Sequence, residues 1–152
     1  MPKVGGFHVA QEPTIFLSQI NPMKTLLTPA QSLHALRVMV SIAMMAHGFQ
    51  RVYFGTVAGF GDFLNSKGFL IGVPLAWGIT LFELIAGLAM LLNFFTRWTS
   101  FIWAVQLVVG IILVHAPNGW YVVGPSTGGV EYSLLLIVSL GVLYAHSASE
   151  KN

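Results

Sequence analysis

Apolar side chains gather in four long stretches, residues 33–52, 74–92, 100–115 and 132–145, separated by segments rich in glycine, proline and asparagine. Each is read as a helix long and oily enough to enter a bilayer. The first is opened by Thr28-Pro29-Ala30-Gln31, a T-x-x-Q capping box with proline at the first helical position. The second also starts on a proline, Pro74. The last two apolar runs rise only ~21–24 Å at 1.5 Å per residue, short of a ~30 Å hydrocarbon core. Their helices are therefore expected to continue through residues 97–99 and toward Ser149. A water-soluble bundle would need polar stripes on its outer faces. Residues 84–92 and 134–143 carry no charge anywhere around the helical wheel. The fold class expected is all-α, an integral membrane four-helix bundle.

Composition sharpens this picture. Charged residues make up 8% and hydrophobic residues 55% of the 152, and the mean hydropathy is +0.76. Typical soluble domains carry roughly 25% charge. The partner this predicts is the lipid bilayer, and the net charge of +2 is too small and scattered for nucleic-acid binding. Cysteine is absent, which removes disulfides, thiolate-held iron–sulfur clusters and dithiol relays. Residues 1–30 hold only short apolar runs broken by Pro13, Asn21, Pro22 and Pro29, so no cleavable signal peptide is expected there. The domain division is an N-terminal extension, residues 1–28, and a helical domain, residues 29–149.

Basic residues set an orientation. Lys3, Lys24, Arg97 and Lys151 fall on the side of both termini, against Arg51 and Lys67 on the other. The positive-inside rule then places both termini in the cytoplasm. Of the two outer connections, residues 54–73 contain Phe60, Phe63 and Leu64, which can form one apolar face of a short helix lying on the membrane surface. Residues 116–130 are rich in turn formers. Gly59-x-Gly61 lacks the third glycine and the preceding strand of a phosphate loop.

The chemistry of the chain lies in ionisable groups set in these oily stretches: Arg37, His47, Glu83, His115 and Glu131. A charge at mid-membrane costs at least ~3 kcal/mol, so such groups need partners or a task. Glu83 lies ~13 Å inside its helix, and Arg37 ~15 Å below His47 on the first helix. Arg37, His47 and Arg51 fall within about 80° of one another and can share an inward face. Glu83 must pair with Arg37 or a histidine, or keep its proton. His47, His115 and Glu131 would gather on the outer side as a titrating or ligand-binding cluster. The same residues have plainer readings. An Arg37–Glu83 pair can serve only helix register, His115 before Pro117 can be a helix stop, and Arg51 and Arg97 can snorkel at the interface. Two histidines and two glutamates would suit a metal chemically, but they lie on different helices with no E-x-x-H pair, so none is assigned. Nothing beyond His47 and His115 marks a haem.

Taken in order, several short pieces resemble the DoxX family of small four-helix bacterial membrane proteins. They are Leu36-Arg37, His47-Gly48-Phe49-Gln50-Arg51, Gly59-Phe60 with Phe63-Leu64, and Phe82-Glu83-Leu84-Ile85-Ala86-Gly87-Leu88. Phe95-Thr96-Arg97, His115 with Asn118-Gly119, and Gly129-Val130-Glu131-Tyr132 complete the series. The likeness covers roughly residues 30–146. Gln50-Arg51 departs from the family's small-residue-plus-lysine ending, and Ala86 stands where the family has a second glycine. The resemblance implies a bacterial cytoplasmic (inner) membrane location and a membrane subunit of an oxidoreductase assembly. It also implies a quinone rather than any cofactor held within the chain, and a protein partner or homo-oligomer. It places the family's polar positions on Arg37, His47, Glu83, His115 and Glu131.

Three functions compete. One is a quinone-interacting subunit in which His47, Glu83 or His115 hydrogen-bond the quinone carbonyls and the redox centre lies in a partner. Another is a non-catalytic partner or assembly factor. The third is a small carrier or proton pathway, which the lack of an evident inverted repeat disfavours.

Overall fold

The computed structural model describes residues 26–123 and 128–149, and all the regular structure among them is helical. The N-terminal extension, apart from its last three residues, lies outside them. Five α-helices follow one another: α1 (Pro29–Tyr53), α2 (Val57–Ser66), α3 (Gly72–Leu91), α4 (Thr96–Gly110) and α5 (Glu131–Ser149). Four were expected. The fifth is the short α2, whose Phe60, Phe63 and Leu64 do fall on one face. That face packs onto Ala76 and its neighbours in α3.

The helix starts follow local chemistry. The Thr28 hydroxyl accepts the Gln31 N–H at 3.3 Å and the Gln31 side chain accepts the Thr28 N–H at 2.9 Å, the reciprocal box its sequence announces. At the head of α3 the Asn65 side chain, carried on α2, accepts the Gly72 N–H at 2.8 Å. The fourth apolar stretch reaches Ser149 and the third begins at Thr96, as expected from the shortness of their runs. At its other end α4 does not simply stop. It widens into a π-turn over Ile111–His115 and tightens into a 3-10 turn over Ala116–Asn118. Pro117 has no N–H for the carbonyl four residues back, and its ring crowds that carbonyl, so regular winding cannot pass through it.

By length and composition three helical segments among the described residues can cross a membrane: Gly72–Leu91, Thr96–Asn118 and Glu131–Ser149. Their apolar side chains point largely outward: Ile85 and Leu88 on α3, Val105 and Ile112 with α4, and Leu135 and Val138 on α5 are all exposed. Water would penalise such a surface and lipid does not. α1 has 25 residues, ~38 Å of helix, but carries His34, Arg37, His47 and Arg51.

Two antiparallel pairs make the body of the molecule. Along α1 and α3, Gly48 meets Thr80 and Glu83, Met45 meets Gly87, and Arg37 meets Asn93. Along α4 and α5, Arg97 and Phe101 meet Tyr144 at one end, and His115 meets Gly128 at the other. The pairs join through one core of Val40, Met44, Ala86, Met90, Trp103, Leu136, Leu140 and Leu143. This core lies in the half of the molecule that holds the α3–α4 turn. Toward the opposite end α3 and α4 diverge, and α2 folds across the opening.

Candidate functional site

The divergence leaves a cavity of about 530 Å³ between α3 and α4. Most of its wall is apolar, with Phe60, Phe63 and Phe69 from the α2 region, Ile79 and Phe82 from α3, Val105 from α4 and Leu113 from the π-turn that follows it. Its polar lining is His47, Arg51, Glu83, Gln106 and His115. An oily chamber with a few converging polar groups is the usual build of a small-molecule site.

Glu83 is the centre of this polar wall, only 2% exposed. One carboxylate oxygen accepts the Arg51 guanidinium and the other accepts the Gln106 side-chain amide. Arg51 also donates from Nε to the Thr80 hydroxyl at 3.1 Å, and its guanidinium lies 4.9 Å from the centre of the Phe60 ring. The network therefore joins α1, α2, α3 and α4. Gly48 makes it possible. A Cβ there would sit 2.9 Å from the Thr80 carbonyl oxygen and 3.3 Å from the Glu83 Cβ. Only a glycine lets α1 approach closely enough for Arg51, one turn on, to reach Glu83.

The expected Arg37–Glu83 pair is not formed. Arg37 instead donates to the Asn93 side chain and to His34 Nδ1, at 2.8 Å, near the α3–α4 turn. The reason is directional. Helical side chains lean toward the N-terminus of their own helix. On antiparallel α1 and α3 this tilts Arg51 and Glu83 toward each other and tilts Arg37 away. Arg51, expected to snorkel, is the ion-pair partner, with 15% of its side chain exposed.

His47 and His115 both line the cavity. His115 Nδ1 lies 2.7 Å from the Gly128 carbonyl oxygen. A carbonyl only accepts, so the proton of this bond sits on Nδ1 and Nε2 is the nitrogen left for a ligand. Glu131 does not join them. Its carboxylate accepts the Val122 N–H at 2.8 Å, and its own N–H donates to the Trp120 carbonyl at 3.1 Å, pinning the α4–α5 connection. Among the described residues no three His, Asp, Glu or Cys side chains converge as a metal site would require.

Gln106 and Thr80 were missed by the sequence reading. Gln106 had a signal: it is the lone polar side chain in residues 101–114. Thr80 had none, because threonine bonds its own helix as readily as a neighbour's side chain.

Apolar helices clad for lipid, with an ion pair and two histidines turned into an internal chamber, define a multi-spanning helical membrane protein. Residues 32–116 match the DoxX family model, more than half of the chain, and the protein belongs to the DoxX family. No curated protein and no solved structure matches it.

Proposed function

We propose that this protein is the membrane subunit of an oxidoreductase assembly and that the cavity between α3 and α4 receives a quinone. On this reading the four long helices form a transmembrane bundle in the bacterial inner membrane, with both termini cytoplasmic. The observation that carries the proposal is the convergence of the Arg51–Glu83–Gln106 network, His47 and His115 on one largely apolar cavity. A quinone is a flat apolar ring with two carbonyl acceptors, and the residues present suit it. Aromatic and aliphatic side chains would hold the ring, while Arg51, Gln106 or a histidine N–H would meet a carbonyl. A bound quinone supplies two-electron, two-proton redox chemistry. The chain contributes the rest: it excludes water, orients the ring and sets the His47 ring and the free Nε2 of His115 beside it to exchange protons. Electrons come from a redox centre in a partner protein, since the chain has no cysteine for a cluster.

A second reading rests on a specific observation. Both oxygens of Glu83 are already engaged by protein donors, as in a non-catalytic partner or assembly factor whose polar network only fixes helix register. Titration of the protein in lipid nanodiscs with decylubiquinone, followed by quenching of tryptophan fluorescence, separates the two. Gly110 lines the cavity, and a Cβ built there meets nothing within 4 Å. Gly110→Phe should fill the space and abolish saturable quenching while the protein melts as before. No saturable binding by the unaltered protein, or equal binding by Gly110→Phe, would exclude the quinone reading and leave the structural one.

A further inference from the structure

At the opposite end of the molecule, Arg37 sits in a second, smaller cavity of about 180 Å³. Its lining brings His34 and Arg37 from α1 together with Asn93 and Thr96 at the α3–α4 turn, and His146 and Ser147 from the end of α5. Nothing in the quinone reading uses these groups.

The electrostatics are one-sided. Arg37 spends two donors on Asn93 and His34, and its Nε is buried without an acceptor among the described residues. The Asn93 side-chain oxygen also takes the Thr96 hydroxyl at 3.3 Å, so it is shared. His34 Nδ1 accepts from the guanidinium, which leaves the neutral ring's proton on Nε2 as one more donor. Among the described residues the carboxylates are Asp62, Glu83 and Glu131, and none lines this cavity. Arg97, the nearby cation of α4, is turned to Tyr144. Among the described residues, then, a partly buried arginine has neutral partners, an idle N–H and no counter-anion. Basic pockets between helices at the edge of the membrane are built this way for phosphate groups.

We propose that the His34–Arg37–Asn93–His146 pocket is an anion site for a phosphate-bearing group, either the headgroup of an acidic phospholipid or free phosphate. Arg37 supplies the charge, and His34 with the Ser147 hydroxyl supplies further donors. The volume admits a phosphate with a short polar stub and no acyl chain, which would run along the lipid-facing helices.

The test is thermal unfolding of the full chain in dodecylmaltoside with added cardiolipin, phosphatidylcholine or inorganic phosphate. Cardiolipin should raise Tm saturably and phosphatidylcholine should not. In Arg37→Gln the half-saturating cardiolipin concentration should rise about fivefold or more. Lys67→Gln, which removes an exposed cation on the far side, should leave the response unchanged. If inorganic phosphate produces the same Arg37-dependent rise, the site is one for free anion; if only cardiolipin does, it is a headgroup site. Should Arg37→Gln fail to fold, His34→Ala/His146→Ala keeps the arginine and should weaken the response. A Tm that no probe moves, or that moves equally in the pocket variants and the unaltered protein, overturns the proposal.

Discussion

Arg51 of α1 and Glu83 of α3 are 32 residues apart and meet as a buried ion pair on the wall of the larger cavity. Their helices run antiparallel, so the N-terminal lean of each side chain carries it toward the other across about one turn. Gly48 lets the backbones close, and Thr80, Gln106 and Phe60 hold the two groups in place. A charge pair away from water depends on such complete partnering, because either ion alone would be far costlier than the pair.

That dependence gives a double-mutant prediction. Glu83→Gln and Arg51→Gln should each destabilise the protein by about 3 kcal/mol, since each strands a buried charge or its partner donors. The double variant should lose less than their sum, by about 1–3 kcal/mol. Arg37→Gln combined with Glu83→Gln should be additive within about 0.5 kcal/mol, the two being separate sites. Unfolding in mixed micelles measures all three, and coupling of Glu83 to Arg37 rather than Arg51 would contradict the pairing.

Close helix approach gives a second prediction. Gly48→Val should cost about 1–3 kcal/mol by forcing α1 away from the Thr80 carbonyl, and should weaken the Arg51–Glu83 pair with it. Gly141 on α5 faces open space. Gly141→Ala should therefore be neutral or stabilising by up to about 1 kcal/mol, through helix propensity alone. Thermal melts of the two variants side by side check the contrast.

Gln106 separates the ligand-binding role from the structural one. Gln106→Leu keeps the volume and helix propensity and removes the amide that faces Glu83. Its stability should fall by about 1.5–3 kcal/mol, the worth of one hydrogen bond to a buried charged group. If the amide helps present a polar wall to a quinone, decylubiquinone affinity should fall about tenfold, a loss of ~1.4 kcal/mol. Unchanged affinity in a well-folded Gln106→Leu protein would assign the amide to helix register only.

Family membership, the helical class, the capped start of α1 and the lipid-clad faces were all legible in the amino-acid order. Each is a matter of local composition, end chemistry or short motifs read in series: Thr28 with Gln31 announces a helix start whatever packs above it. Glu83, His47 and His115 were legible as well, because an ionisable group in an oily run is conspicuous without any structure. Which cation meets Glu83 was not. Arg37 and Arg51 both lie toward the inward face of one helix, and only the direction of α3 beside α1, with the lean of each side chain, selects Arg51 and sends Arg37 to Asn93. The tertiary arrangement likewise decided that Glu131 ties down a loop, that α2 packs its apolar face on α3, and that an idle Arg37 N–H sits in a pocket with no carboxylate among the described residues. Sequence fixes what each helix must bury or expose; the close approach of separate helices, set by small residues and antiparallel direction, fixes which buried groups can touch.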